Sequence, residues 1–268
     1  MRDSSPRRRS MLSVVCLLAP VMVANGTALA TFTLTGSVPL TSSGNHHGIA
    51  FDGSQWHIAD PFTNIFHNYN SGFGFLGDTT VAGVSDMRGM TYDANSGHLF
   101  VGDDGTNIVR EVTTAGTEIQ QFNSGVSTLN ALAYDRRDNL IWLAYFNGQI
   151  EKRTRTGTLI SSFTKPQNWT GLALDPINNS LLAMEDGDTV WEMKFDGTTV
   201  GQVIPTDQIP NNGQGLAYDF NFGRLYATSQ VPGNVTIFTD PSRVPEPASV
   251  AVMASACLLL SVRRRRDR

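Results

Sequence analysis

The feature that most constrains this chain is a five-residue pattern that occurs five times at nearly constant spacing. Each copy reads Gly or Ala, an apolar residue, Ala or Thr, an aromatic residue or Leu, and Asp. Successive copies begin 40 to 44 residues apart. A self-similar period of this length is typical of repeat architectures, in which each repeat forms one supersecondary unit. The copies are Gly48-Ile49-Ala50-Phe51-Asp52, Gly89-Met90-Thr91-Tyr92-Asp93, Ala131-Leu132-Ala133-Tyr134-Asp135, Gly171-Leu172-Ala173-Leu174-Asp175 and Gly215-Leu216-Ala217-Tyr218-Asp219.

Each copy continues into three more segments with strand character. In the second repeat these are an apolar run at 98–101, an alternating segment at 107–112 and a closing segment at 118–122. Short strands separated by Gly, Asn and Asp turns are typical of antiparallel hairpins. Four such strands per repeat form the blade of a β-propeller. The sequence therefore predicts an all-β fold, a propeller of five four-stranded blades over 31–240, with six blades (one degenerate) as the alternative.

The two ends of the repeat region indicate how the ring would close. The fifth copy supplies only three strands, the last at 234–239, whereas an alternating segment at 31–38 precedes the first copy. We expect segment 31–38 to be the outermost strand of the fifth blade. This pairing would join the two ends of the ring and cover an exposed sheet edge.

The blade-opening strand resembles that of NHL-type and gluconolactonase-type propellers, whose blades often begin with Gly, an aliphatic residue, Ala, an aromatic residue and Asp. The resemblance spans 31–240 and implies architecture, not activity. The aspartate recurs in every copy, which favours a structural role as a cap on the turn that follows. A catalytic carboxylate would be expected once.

The residues just before each pattern are predicted to converge at one mouth of the central channel. All ten positions that lie one or three residues before a copy are polar. One interpretation is a funnel that binds a polar ligand, such as carbohydrate. The other is that loops at a propeller mouth are exposed to solvent and are polar for that reason alone. Trp169 would stack on a sugar ring in the first interpretation and lie in the core in the second. The candidate ligand-binding residues are Asn45, His47, Asp86, Arg88, Asn130, Asn168, Trp169, Asn212 and Gln214.

The repeat region contains no dedicated metal motif. His46 and His47 are adjacent, so on a strand they point to opposite faces and would not both bind one metal beside Asp86. The acidic loops 103–105 and 185–188 lack the twelve-residue arrangement of oxygen ligands that a calcium loop requires. We predict no metal and no cofactor. Calcium binding at these two loops is kept as the alternative.

The N-terminal segment 1–30 has the three parts of a secretory signal. A basic stretch is followed by a largely apolar run at 11–23 and by small residues, with Ala28 and Ala30 placed for signal peptidase. We predict cleavage after Ala30. Export by either the general or the twin-arginine route remains open.

The C-terminal segment 241–268 combines three elements in order. Pro245, Glu246 and Pro247 precede an apolar stretch at 248–262, and the arginines Arg263, Arg264, Arg265 and Arg266 follow. This segment resembles the PEP-CTERM sorting signal. The resemblance implies a short transmembrane helix, an exosortase-type processing enzyme as partner, and a cell-surface or extracellular location after transit through the inner membrane.

The charge of the body limits the classes of partner. Residues 31–262 hold 11 Lys plus Arg against 22 Asp plus Glu, and this acidic balance argues against nucleic acid, which requires a basic surface. The favoured hypothesis is a non-enzymatic surface or matrix module that binds polysaccharide. The alternative is a secreted hydrolase or lactonase of the gluconolactonase or strictosidine-synthase type. In those relatives a metal lies on the channel axis, held by acidic and amide side chains; here Asn45, Asp86, Asn168 and Asn212 resemble that set, but its usual glutamate is missing.

Overall fold

Every regular element of the described structure is a β-strand. The predicted signal peptide and the predicted sorting tail with its transmembrane helix lie outside the described residues. Within the described part, no helix is long and apolar enough to span a bilayer. The computed structural model describes residues 31–42, 44–210, 212–219, 221–230 and 233–240.

The strands form five antiparallel sheets of four strands each. Blade 5 includes β1 (Thr33–Pro39) together with β18 (Gly213–Asp219), β19 (Arg224–Ser229) and β20 (Asn234–Thr239). Blade 1 comprises β2 (Ile49–Phe51), β3 (Gln55–Ala59), β4 (Ile65–Asn70) and β5 (Phe75–Thr80). Blade 2 comprises β6 (Met87–Asp93), β7 (His98–Asp103), β8 (Ile108–Thr113) and β9 (Glu118–Asn123). Blade 3 comprises β10 (Leu129–Asp135), β11 (Leu140–Tyr145), β12 (Gln149–Thr154) and β13 (Leu159–Thr164), and blade 4 comprises β14 (Trp169–Asp175), β15 (Ser180–Glu185), β16 (Val190–Lys194) and β17 (Thr199–Ile204).

The innermost strands surround a common axis. They contact one another in the order β2, β6, β10, β14 and β18, and β18 contacts β2 again. The ring therefore has five blades, as predicted, and the six-blade alternative is wrong. We call the side at which the chain begins each innermost strand the upper face. The side with the turns that follow the innermost strands is the lower face.

The ring closes through β1, as the sequence predicted. β1 pairs antiparallel with β20 from Thr33 opposite Thr239 to Pro39 opposite Asn234, with a bulge at Thr35. Just before β1, the Phe32 backbone N–H donates to a carbonyl in blade 4 over 3.2 Å. One strand thus covers the open edge of β20 and joins the two ends of the repeat region.

The aspartate that ends each pattern caps the turn after the innermost strand, which confirms its predicted structural role. In all five blades, Oδ1 of this aspartate accepts a hydrogen bond from the backbone N–H two residues later. The pairs are Ser54 to Asp52 at 2.7 Å, Asn95 to Asp93 at 2.8 Å, Arg137 to Asp135 at 3.1 Å, Ile177 to Asp175 at 2.8 Å and Asn221 to Asp219 at 2.9 Å.

The first position of the pattern lies where neighbouring innermost strands approach closely. A Cβ on Gly48 would lie 2.4 Å from the carbonyl oxygen of Arg88, and a Cβ on Gly215 would lie 2.3 Å from that of His47. The Gly48 N–H also donates to the Arg88 carbonyl over 2.6 Å, which joins blades 1 and 2. Since backbone atoms cannot rotate away as a side chain can, these glycines are required by packing.

This packing predicts a large difference between two glycine substitutions. Gly48→Ala should lower the free energy of unfolding by about 2 kcal/mol or more, because the added methyl group meets backbone atoms of blade 2. The matched control is Gly36→Ala in β1, where an added Cβ meets nothing within 4 Å. That variant should stay within about 0.5 kcal/mol of the parent. Urea unfolding of both variants measures the difference, and equal stabilities would contradict the packing.

Candidate functional site

The predicted upper mouth is largely filled by its own side chains. Of the residues directly before the pattern, His47, Asn130 and Gln214 are buried and Arg88 is partly buried. In blades 2 to 5 the pairing of the innermost strand with its neighbour shifts register at this position. A β-bulge redirects the side chain of the extra residue. The same irregularity in four blades therefore turns the residues directly before the pattern in the same way, and we call these residues the polar ring.

Arg88 holds the polar ring together. Its Nε and Nη2 contact the Asp86 carboxylate at 3.1 and 3.0 Å, and Nε lies 3.4 Å from Asp104. Its Nη1 donates to Oδ1 of Asn130 over 3.1 Å, and the Asn130 amide donates to the Trp169 carbonyl over 3.2 Å. The chain of contacts runs through blades 2, 3 and 4. The guanidinium is thus neutralised within the protein, which leaves the upper mouth a weak site for an anion.

His46 and His47 are both buried at the upper mouth. Burial, with a smaller contribution from nearby Arg88, lowers the pKa of His47 to about 3. Burial lowers the pKa of His46 to about 4, with a smaller contribution from His67. Both imidazoles are therefore neutral at physiological pH. His47 Nε2 has no hydrogen-bond partner within the described residues.

The remaining candidates do not form one cluster. Asn168 and Asn212 are exposed, and the Asn212 amide donates to the Gln230 side chain over 3.1 Å. Trp169 is only 1% exposed, and its indole N–H donates to the Gly148 carbonyl over 3.0 Å. Trp169 is therefore a core residue between blades, as the second of the two interpretations of the polar mouth expected.

Asp86, the one carboxylate among the four residues named for an axial metal, already has partners within the protein. No group of three or more His, Cys, Asp or Glu side chains in that part of the chain has the geometry to hold a metal. The Asp86 carboxylate is occupied by Arg88 and by the backbone N–H of Phe62 at 3.1 Å. In the acidic loop after β7, buried Asp103 accepts from Thr106 and Arg110, so its carboxylate stabilises the turn.

A cavity of about 400 Å³ opens on the opposite, lower face. It is formed by the second to fifth positions of the repeated pattern and by the turns that follow them. The third position of the pattern is small in every blade and sets the width of the cavity. Its residues are Ala50, Thr91, Ala133, Ala173 and Ala217. The fourth position forms a ring around it, through Phe51, Tyr92, Tyr134, Leu174 and Tyr218. Four of these five ring positions are aromatic, and two of the rings also pack on neighbouring aromatic side chains, Tyr134 on Phe100 at 5.8 Å between centroids and Phe51 on Trp56 at 4.4 Å.

Two of the three tyrosines of the ring are held by hydrogen bonds from their hydroxyl groups. Tyr134 donates to Oδ1 of Asn139 over 2.6 Å, and Tyr218 donates to Asp240 over 2.9 Å. Burial raises the pKa of Tyr134 and of Tyr92, which keeps both hydroxyls protonated. The ring is therefore a preformed surface with polar groups at its rim.

The residues that line this lower cavity differ from the candidate residues predicted from the sequence, which belong to the upper mouth. The aromatic residue at the fourth position was visible in every copy except that of blade 4. It could have been recognised as a ring around the axis, because equivalent positions of a propeller repeat lie at equal depth in the channel.

The buried histidine predicts an unusual pH dependence of stability. Folded His47 remains neutral down to about pH 3, whereas in the unfolded chain it binds a proton near pH 6.5. The unfolded state therefore binds more protons between these values, and the free energy of unfolding falls as the pH falls. The slope for one histidine is at most about 1.4 kcal/mol per pH unit.

This slope can be isolated by comparing the parent chain with His47→Asn in urea unfolding between pH 4.5 and 7. The variant should lose less stability than the parent as the pH falls, because Asn does not titrate. Other groups contribute equally to both proteins. Parallel stability curves would show that His47 is not held neutral by burial.

Comparison with known proteins supports the fold. No protein-family model and no curated protein matches the sequence. The structure is similar to the glutaminyl cyclase of Myxococcus xanthus, with a TM-score of 0.63, 12% identity, and coverage of 77% of this chain and 95% of that chain. It is also similar to a chain of the mitotic checkpoint complex, with a TM-score of 0.50, 12% identity, and coverage of 72% of this chain and 63% of that chain. At such identities the likeness establishes a β-propeller, and its function has to be argued from its own residues.

Proposed function

We propose that this chain is an exported surface or matrix protein whose propeller binds carbohydrate in the lower cavity. The observation that carries this proposal is the ring of aromatic side chains around the cavity. Ligand pockets typically measure about 300–1,000 Å³ and combine apolar walls with a few fixed polar groups. The volume and the lining of this cavity agree with that description.

The chemistry of the ring favours a sugar over a charged ligand. A sugar presents apolar C–H faces and a rim of hydroxyls, which match the π-faces and polar rim of an aromatic cavity. The charged groups around the cavity are already paired. Arg137, for example, lies against Asp135 and donates to the Asn179 side chain.

The same observations favour binding over catalysis. The carboxylates at the cavity rim, such as Asp52, Asp135 and Asp219, accept backbone hydrogen bonds in their own turns. Hydrolysis of a glycoside requires a pair of carboxyl groups with different protonation roles. A carboxylate repeated in every blade with the same structural task does not supply that pair. The likeness to glutaminyl cyclase, an enzyme by name, is one of fold, so it does not alter this assignment.

The terminal segments support export and sorting. Segment 1–30 has the layout of a secretory signal, and the order Pro-Glu-Pro, apolar stretch and arginine cluster in 241–268 resembles the PEP-CTERM signal. We therefore place the mature propeller at the cell surface or in the extracellular matrix. An exosortase-type enzyme would process the tail.

Substitution of one ring residue tests the proposal. Tyr92→Leu should weaken glycan binding by about tenfold, a loss of about 1.4 kcal/mol, because it removes one π-face from the cavity. The fold should tolerate Leu there, since Leu174 occupies the equivalent position in blade 4. The measurement is retention of the full chain on a glycan array and on the polysaccharide of the producing cell.

The control is Phe62→Ala on the upper face, where the ring of Phe62 is 63% exposed. This variant should bind as the parent does. If no glycan retains the parent chain, the proposed ligand is wrong. If Phe62→Ala weakens binding and Tyr92→Leu does not, the site lies on the upper face instead.

A further inference from the structure

The described chain leaves the propeller at the lower face, beside the cavity. Asp240 follows β20, its backbone N–H donates to the Gly223 carbonyl over 2.8 Å, and its carboxylate accepts from Tyr218 of the cavity ring. Only seven residues, 241–247, separate Asp240 from the apolar stretch 248–262. Seven residues span at most about 24 Å. If 248–262 enters a bilayer, the lower face is held close to that bilayer.

A belt of exposed aliphatic side chains surrounds the propeller near its lower face. Each outermost strand starts at this face, and its second residue is aliphatic and between 40% and 54% exposed. The belt consists of Leu34, Leu76, Ile119, Ile160 and Val200. Every blade supplies one such residue, so the belt repeats around the whole circumference of the propeller. The lower-face turns add Ile177 and Phe222, which are 41% and 65% exposed.

The two faces also differ in charge. Among described residues that reach solvent at the upper face, six carboxylates stand against two cations. At the lower face, five cations stand against six carboxylates, two of which lie at the cavity rim. The upper set is Asp86, Asp104, Glu185, Asp186, Asp188 and Asp207 with Arg88 and Lys165; the lower set is Arg136, Arg137, Arg155, Lys194 and Arg224 with Asp52, Glu118, Asp135, Asp138, Asp196 and Asp219. An anionic lipid surface therefore repels the upper face more strongly than the lower one.

From these three observations we infer that the lower face lies on the surface of an anionic bilayer while the chain is tethered. The inference rests on the proposed sorting tail. The aliphatic belt and Phe222 enter the interfacial region, where apolar side chains gain from burial among headgroups and acyl chains. The cavity mouth then faces lipid. Soluble polysaccharide reaches the cavity only after the tail is processed, so sorting and ligand binding are coupled.

Site-specific fluorescence on the full chain in vesicles tests this orientation. In a background of Cys16→Ser and Cys257→Ser, an environment-sensitive fluorophore is attached at Phe222→Cys on the lower face or at Ser127→Cys on the upper face. The vesicles contain phosphatidylglycerol and phosphatidylcholine with a headgroup-attached quencher. Quenching at position 222 should exceed quenching at position 127 by at least about threefold. Equal quenching at the two positions would overturn the inference.

A second set of variants tests the role of the belt. Leu76→Asn, Ile119→Asn and Val200→Asn change exposed side chains, so the fold should persist. Together they should reduce quenching at position 222 towards the level at position 127. Unchanged quenching would show that the belt does not hold the face to lipid.

The outcomes separate this inference from the proposed function. If vesicles fail to retain the full chain, the proposed tail and the inference both fail. If vesicles retain it and the labels show the predicted difference while no glycan binds, the orientation stands and the proposed ligand fails.

Discussion

The pairing of β1 with β20 is the interaction on which the rest of the structure depends. It joins residues about 200 positions apart in the sequence, as in the hydrogen bond from Thr35 Oγ1 to the Ile237 carbonyl. Without it, blade 5 would have three strands and an open edge. The closed ring forces five innermost strands around one axis. Glycines at the first pattern position allow the close approach near the upper face, and the aromatic ring at the fourth position borders the lower cavity.

Much of the fold could be predicted because its signals are local and repeated. The number of copies of the pattern predicted the number of blades. The recurrence of Asp52 and its four equivalents indicated a cap on the turn. Even the long-range closure was predictable, because the strand absent after 234–239 matched the strand present at 31–38. A repeat makes such reasoning reliable, since each copy is an independent observation of the same structural unit.

The site was harder to predict because it depends on contacts between blades. Polar residues before the pattern suggested an open funnel, but the bulges and the Arg88 contacts fill that mouth. Trp169 suggested a stacking platform, yet its indole lies between blades. The cavity occurs at the other end, where Ala and Thr at the third position keep the axis open. No single repeat reveals which end is closed, because the width of the channel arises only when five copies are assembled.

The closure can be tested directly by a disulfide between β1 and β20. Thr33 and Thr239 lie opposite each other in the register, where Cβ atoms of paired residues are about 4.5–5.5 Å apart. With Cys16 and Cys257 replaced by Ser, the pair Thr33→Cys and Thr239→Cys should oxidise within one chain. The bond should raise the free energy of unfolding by up to about 5 kcal/mol. The control pair, Thr33→Cys with Thr80→Cys at the far end of β5, should stay reduced. An unreacted first pair, or oxidation only between chains, would contradict a closed five-bladed ring.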